Sequence, residues 1–136
     1  MIKPIMKSEF FLRLPSEDAG PDDAATGQDL LDTLNEHEHE CVGLAANMIG
    51  VRKRIICVKD GNRALLMYNP QILEQVNDYQ TSEGCLSLIG ERPCTRYRRI
   101  KVEYLDENFV RRIKNFSGYT AEIIQHEIDH CNGIVI

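Results

Sequence analysis

The apolar residues near the start of the chain recur at helical spacing. Leu30, Leu31 and Leu34 can share one helix face, and they follow a stretch rich in proline, glycine and acidic residues. A stretch of that composition is typical of a loop that precedes a helix. The pattern therefore predicts a first helix from about Pro21 to Glu40.

A second helical pattern lies at the other end of the chain, in "GYTAEIIQHEIDHCNG". It begins after Gly118, keeps apolar residues at Ile123, Ile124 and Ile128, and stops at the dipeptide "NG". Glycine at that place suits a helix C-cap. We predict a second long helix here.

Strand patterns fill the region between the two helices. The apolar runs "RIICVKD" and "ALLMYNP" flank "DGNR" and predict a hairpin closed by Asp60 and Gly61. "QILEQVN" predicts a third strand, and "IKVEYLDENFVRRIKNF" predicts a second hairpin with one wet face that turns near residues 106–108. Strands grouped between helices indicate an α+β fold, with mixed or antiparallel strands around a central helix.

Length and composition limit the class of protein. The 136 residues fit one domain, 1–136, and 43% hydrophobic with 27% charged residues is ordinary for a soluble globular protein. A net charge of -5 argues against a general nucleic-acid binder, and no apolar run approaches a membrane span. The first residues contain proline and charges where a signal peptide would be apolar, and the five cysteines, an odd number without paired spacing, fit a reducing compartment. We expect a cytoplasmic protein.

The segment "QHEIDH" on the second helix contains the H-E-x-x-H pattern. His126 and His130 stand four residues apart, so both imidazoles can reach one cation from the same helix face. Glu127 lies beside the first of them, where a glutamate can handle the proton of a water bound to the metal. Without a third ligand, two solvated histidines on a surface helix would explain the pattern equally well.

Candidates for the third ligand are the acids, His37, His39 and the five cysteines. Composition does not choose among them, but local sequence favours Cys85. In "EGCLS" this cysteine follows a glycine in a short segment between strands, where little bulk would hinder approach to a cation. One thiolate and two imidazoles would leave a fourth tetrahedral position open for water, as a hydrolytic site requires.

Three segments in this order resemble the motifs of the peptide deformylases: "GLAAN" with its flanking "MIG" (43–50), "EGCLS" (83–87) and "QHEIDH" (125–130). The resemblance covers most of the chain. It implies a mixed α+β fold around the motif helix and one divalent metal, usually Fe²⁺ but also Zn²⁺, Ni²⁺ or Co²⁺, on Cys85, His126 and His130. It also implies removal of the formyl group from the N-terminal methionine of new chains.

The resemblance also implies roles for other residues. Glu127 would take a proton from water and return it to the departing amine, and the backbone N–H of Leu86 would stabilise charge on the formyl oxygen. Glu83 and Ser87 are expected to hold their loop through local hydrogen bonds. Asp129 is expected to orient a ligand from outside the metal site.

A substrate pocket is predicted beside the motif helix. Helical spacing brings Tyr119, Glu122 and Ile123 near the first histidine, although core packing explains Tyr119 and Ile123 equally well. The resemblance adds Val42 and Gly43 across from this face, where they would receive the methionine side chain and the substrate backbone. An acid such as Glu122 suits an apolar pocket only if it turns outward.

One residue departs from the family pattern at the substrate site. The first motif of the family ends in a glutamine that would act on the oxyanion, and this chain has Met48 in its place. A thioether donates no hydrogen bond, and loss of one such donor costs about 10²- to 10³-fold in rate. Asn47 would face the other way if the segment were extended.

Three functions are therefore open. The first is a deformylase, with reduced activity if nothing replaces the missing donor. The second is a hydrolase for another small N-acyl group on the same scaffold. The third is a catalytically weakened protein that binds metal or peptide, against which Glu127 argues because binding alone needs no proton-transfer group.

Partners follow from the same resemblance. The substrate would be an N-formyl-methionyl peptide or nascent chain, with no membrane and no specific nucleic acid. Many bacterial members continue into a C-terminal helix implicated in ribosome docking, whereas this sequence stops at "GIVI", so docking by that helix is not expected. We interpret "RYRR" (96–99), with Arg111 and Arg112, as the wet side of a hairpin rather than an RNA-binding patch.

Overall fold

The computed structural model describes all 136 residues. In chain order the elements are α1 (Glu9–Leu12), α2 (Ala24–Glu36), β1 (Gly43–Ala45), β2 (Ile55–Asp60), β3 (Arg63–Cys85), β4 (Leu88–Leu105), β5 (Arg111–Ser117) and α3 (Gly118–Cys131). Two short 3-10 helices, Pro21–Asp23 and Ala46–Ile49, precede α2 and follow β1. None of the helices is long and apolar enough to cross a membrane.

The five strands form one antiparallel sheet in which each strand pairs with the next along the chain. The predicted α+β class is thus confirmed, as are both hairpins. The predicted third strand is not separate, because it continues β3 after register shifts between Tyr68 and Gln71 and between Ile72 and Glu74. Such bulges bend a strand without ending it, and so β3 and β4 form one long, curved hairpin.

Helix α2, which corresponds to the first predicted helix, is shorter than its pattern predicts. A 3-10 turn occupies Pro21–Asp23, and after Glu36 the residues 37–40 form turns rather than helix. Glu36, Glu38 and Glu40 place negative charge where the helix dipole is already negative, which disfavours a longer helix. The end of α2 consequently lies before the histidines of "EHEHE".

Helix α3 lies at the centre of the fold, as predicted for the motif helix. It packs against β1, β2 and β4, and its residues Ala121 and Ile124 are fully buried. Helix α2 adds Leu30 and Leu34 to the same apolar cluster. Because α3 is enclosed, polar side chains on it must find partners inside the protein.

Met48 is part of this apolar core. It lies in the 3-10 helix Ala46–Ile49 that follows β1, its side chain is 1% exposed, and its carbonyl accepts a hydrogen bond from the Met6 N–H (2.7 Å). Methionine suits such a place because it is flexible and carries no strong polar group. A polar side chain in place of Met48 would have hydrogen-bond donors without partners in this apolar core.

We expect Met48→Gln to lower the free energy of unfolding by about 1–3 kcal/mol, because an enclosed amide without partners keeps its desolvation penalty. Met48→Leu is the matched control, since a volume-conserving apolar exchange costs less than about 1.5 kcal/mol. Urea denaturation of the two variants and the parent chain measures the difference. Equal stability of the two variants would show that the amide finds a polar partner and would contradict the enclosure of this side chain in the apolar core.

Candidate metal centre

Cys85, His126 and His130 come together where β3 ends against α3. Their ligand atoms all lie within 4.8 Å of one another, and the two Nε2 atoms are 3.1 Å apart. Two metal–nitrogen bonds of about 2.0–2.1 Å at a tetrahedral angle would place the nitrogens about 3.3 Å apart. The donor set therefore fits one divalent cation with little movement.

Glu83 fixes the orientation of the first histidine ligand. Its Oε1 lies 2.7 Å from Nδ1 of His126, so the ring donates from Nδ1 and keeps Nε2 for a metal. The carboxylate also accepts from Arg96, at 3.1 Å from Nε and 2.8 Å from a terminal nitrogen. The predicted role of Glu83 was local, but its contacts are with another strand and with the helix.

Arg96 extends this chain of contacts back to α3. Its second terminal nitrogen donates to Oδ2 of Asp129 at 2.7 Å, and its side chain is only 5% exposed. The interpretation of "RYRR" as a wet hairpin face is therefore wrong for Arg96, because β4 turns this residue toward the helix. Asp129 acts on the ligand indirectly, through Arg96 and Glu83.

The charges at the site favour the metal-binding form of the cysteine. Although burial opposes the change, hydrogen bonds from His126 and from the Ser87 and Leu88 N–H groups lower the pKa of Cys85. Burial disfavours the charged form of His126 and lowers its pKa, but hydrogen bonds with Cys85 and Glu83 outweigh burial and raise the pKa of His126 to about 10. Burial, and to a smaller extent the positive charge on His126, lowers the pKa of His130 to about 3. Without a cation, a thiolate is thus stabilised by a neighbouring imidazolium, and thiolate is the species that binds metal.

Glu127 is buried beside the ligands, and no ion pair holds its carboxylate. Its side chain is 4% exposed, its Oε1 has no hydrogen-bond partner, and burial raises its pKa to about 7. A carboxyl group near this value can both accept and return a proton at neutral pH. A bound divalent cation would act in the opposite direction and favour the carboxylate.

Gly43 leaves the space in which this carboxylate lies. A Cβ atom at this position would come within 2.7 Å of Cγ2 of Ile123 and 3.0 Å of Oε2 of Glu127. Only glycine lets β1 approach α3 this closely without moving the carboxylate. The requirement for glycine in "GLAAN" is thus steric.

A cavity of about 560 Å³ opens beside the ligands. It is bordered by Cys85, Leu86, His126 and Glu127, and also by five of the six predicted pocket residues, namely Val42, Gly43, Tyr119, Glu122 and Ile123. Tyr119 is 65% exposed at the opening, and the Tyr79 hydroxyl donates to Glu122 at 3.4 Å. His130 is fully buried and does not border the cavity.

Met48, the sixth predicted pocket residue, does not border the cavity either. The segment is a 3-10 helix rather than an extended strand, and Asn47 and Met48 are both 1% exposed. Asn47 donates from Nδ2 to the carbonyl of His130 at 2.9 Å, which links the first motif to the end of α3. Neither side chain offers a donor to the cavity.

Two further residues of the motif segments, Ser87 and Gln125, have side chains that do not act at the cavity. The Ser87 hydroxyl is buried without a partner, so the side chain makes none of the local bonds expected of it. Gln125 accepts from the Tyr97 N–H (2.8 Å) and donates to the carbonyls of Tyr97 (2.8 Å) and Ala121 (2.9 Å). Its amide joins α3 to β4, so its role here is structural.

Comparison with known proteins identifies the family. A family model described as polypeptide deformylase matches residues 7–136. A peptide deformylase of Clostridium beijerinckii is 52% identical over 136 residues and 100% of both chains, and peptide deformylase 1 of Clostridium perfringens is 38% identical over 79% of this chain and 74% of its own.

Solved structures agree with this assignment. A class I type b peptide deformylase from Acinetobacter baumannii, described as bound to Met-Ala-Ser, has a TM-score of 0.89 and 29% identity over 99% of this chain and 97% of its own. Peptide deformylase from Thermus thermophilus has a TM-score of 0.89 and 33% identity over 99% of this chain and 84% of its own. The chain belongs to the peptide deformylase family.

Proposed function

We propose that Cys85, His126 and His130 hold one divalent ion, with Fe²⁺ as the physiological metal, and that this centre removes the formyl group from N-formyl-methionyl peptides. Zn²⁺, Ni²⁺ and Co²⁺ suit the same mixture of thiolate and imidazole ligands. The substrate would be the N-terminus of a newly made chain in the cytoplasm. Peptide deformylases are metal-dependent hydrolases, and the family assignment supports the reaction.

The observation that carries the proposal is the buried, unpartnered carboxylate of Glu127 at the end of an open cavity beside three convergent ligands. A purely structural metal site is closed by a fourth protein ligand and needs no free carboxylate. Here Glu127 faces the space that a substrate would enter, and its Oε1 has no competing contact. This arrangement supports hydrolysis rather than metal storage.

A bound cation would acidify a water molecule and polarise the formyl carbonyl. The residues of the chain supply the remaining functions. Glu127 would accept the water proton and deliver it to the nitrogen that leaves when the C–N bond breaks, so one carboxyl group serves both proton transfers. The Leu86 N–H, next to a ligand on the cavity wall, would donate to the formyl oxygen as its charge increases.

The cavity walls would position the peptide. Val42, Gly43 and Ile123 present an apolar surface on one side of the ligands, which suits the methionine side chain. Because Met48 is enclosed in the core, the oxyanion in this chain would depend on the backbone N–H and the cation without a side-chain amide. A smaller rate than that of relatives with a glutamine is the expected consequence.

Glu127→Gln should retain the metal and lose nearly all formate release, because an amide does not accept the water proton. The test is formate release from formyl-Met-Ala-Ser by protein loaded anaerobically with Fe²⁺, together with elemental analysis. Cys85→Ala is the control, and it should lose the metal itself. Substantial turnover by Glu127→Gln would contradict the proposed proton route, and full metal occupancy in Cys85→Ala would contradict the ligand assignment.

Gly43→Ala should reduce kcat/KM by about tenfold or more at unchanged metal content, because its methyl group displaces Glu127 and displacements near 1 Å can cost about 10²-fold. Gly20→Ala is the matched control, since a Cβ atom there meets nothing within 4 Å. Steady-state kinetics of both variants decide the matter. Full activity of Gly43→Ala would show that the carboxylate position is not critical.

A further inference from the structure

The ligand Cys85 lies at the end of the β3–β4 hairpin, at a turn whose own residues do little to fix its shape. Cys85 pairs with Leu88, so Leu86 and Ser87 alone form the turn. Two-residue hairpin turns are favoured when at least one turn residue has a positive φ, and neither of these residues has one. The Ser87 hydroxyl adds no hydrogen bond. The shape of the turn therefore depends on contacts with other segments.

Lys7 makes such a contact from the N-terminal segment. Its Nζ donates to the carbonyl oxygen of Leu86 at 2.7 Å, across 79 residues of the chain. The residue before it is fixed, because the Met6 N–H donates to the carbonyl of Met48 at 2.7 Å. The lysine is thus attached to the core immediately before the position from which it reaches the turn.

Helix α1 fixes the chain on the other side of this lysine. Leu12 of α1 is fully buried, and Glu9 at the start of the helix lies 3.3 Å from Arg92 of β4. The segment that carries Lys7 is therefore held at both ends, by the core and by the same hairpin. Its ammonium group has a defined place beside the turn.

The Leu86 carbonyl and the Ser87 N–H belong to one peptide unit. The chain contains no cis peptide bond, and in a planar trans unit these two groups point in opposite directions. Lys7 binds the oxygen at one end, and the N–H at the other end donates to the sulfur of Cys85. A cation at the oxygen also polarises the unit, which strengthens its N–H as a donor. Without the lysine, the unit would be free to rotate away from the sulfur.

The preceding peptide unit carries the Leu86 N–H, the proposed donor to the formyl oxygen. The two units share the Cα atom of Leu86, so a rotation of the turn changes the direction of this N–H as well. A donor of this kind acts only when it lies about 2.7–3.1 Å from the place that the oxyanion will occupy. One contact to the turn can therefore affect both the ligand and the donor.

We propose that Lys7 is a positioning residue for the metal centre: its ammonium group fixes the turn so that the Ser87 N–H reaches the ligand sulfur and the Leu86 N–H is directed into the cavity. The inference rests on the proposed function, because both N–H groups act at the metal and substrate site. Lys7 itself touches neither ligand nor substrate in this role.

The test compares Lys7→Met with Lys7→Arg, which keeps a cationic donor. Lys3→Met is the matched control in the same segment, since the Lys3 Nζ lies 3.9 Å from Asp29. In the Co²⁺-loaded protein, the thiolate-to-cobalt absorption band should move to longer wavelength in Lys7→Met, because a sulfur that accepts a weaker N–H bond donates electrons to the metal more readily. The band should stay at the parent position in Lys7→Arg and Lys3→Met.

Two further measurements follow the N–H groups themselves. Hydrogen exchange of the Ser87 amide, measured by NMR on the Zn²⁺-loaded protein, should become about threefold to tenfold faster in Lys7→Met, the effect of one lost hydrogen bond. With formyl-Met-Ala-Ser, kcat should fall by a similar factor at nearly unchanged KM, because the formyl oxygen gains its charge in the transition state. Circular dichroism establishes that each variant is folded.

An unshifted band and an unchanged Ser87 exchange rate in Lys7→Met would overturn the proposal. Changes of equal size in Lys3→Met would also overturn it, because they would reflect a general loosening of the N-terminal segment. Equal changes in Lys7→Arg would overturn the assignment to a cationic donor. A band shift confined to Lys7→Met in a protein that releases no formate would overturn the proposed function and leave the contact between Lys7 and the turn as the cause of the shift.

Discussion

The contact between Glu83 and His126 is the interaction on which the site depends, because it joins the end of the long β3–β4 hairpin to the central helix. Arg96 holds the carboxylate from a neighbouring strand and also reaches Asp129 on α3. Taking such charges out of water costs several kcal/mol per ion unless each is paired. The four groups therefore stabilise one arrangement together, and that arrangement directs Nε2 of His126 toward His130 and Cys85.

Close packing around α3 converts this arrangement into a reactive site. Gly43 brings β1 against the helix, so the Glu127 carboxylate is enclosed without a hydrogen-bond partner for Oε1. Burial raises its pKa to about 7, which suits a group that accepts and returns protons. The ligands, the carboxylate and the cavity thus result from chain segments that pack on one helix.

Sequence reasoning identified what local spacing encodes. The four-residue interval of the histidines, the cysteine after a glycine and the turn residues of both hairpins predicted elements that the structure contains. Arg96 was misinterpreted because its partners lie 13 and 33 residues away, so nothing in "RYRR" distinguishes it from its exposed neighbours. Met48 was expected at the substrate because it occupies the place of the family's motif glutamine, whereas in the structure it lies in a 3-10 helix with its side chain buried in the core. Burial and long-range pairing are properties of the folded chain, which single-sequence patterns do not report.

The most direct test of whether the buried contacts of Arg96, Glu83 and His126 organise the metal site is the affinity of Glu83→Gln for Co²⁺. This affinity is measured by chelator competition under anaerobic conditions. Glu74→Gln, on an exposed stretch of β3, is the matched control, and circular dichroism establishes that both variants are folded. Loss of a partner that orients a metal-binding histidine typically weakens metal affinity about 10- to 100-fold, and we predict a loss in that range for Glu83→Gln alone. A Kd equal to that of the parent chain would contradict the central role of the Arg96, Glu83 and His126 contacts.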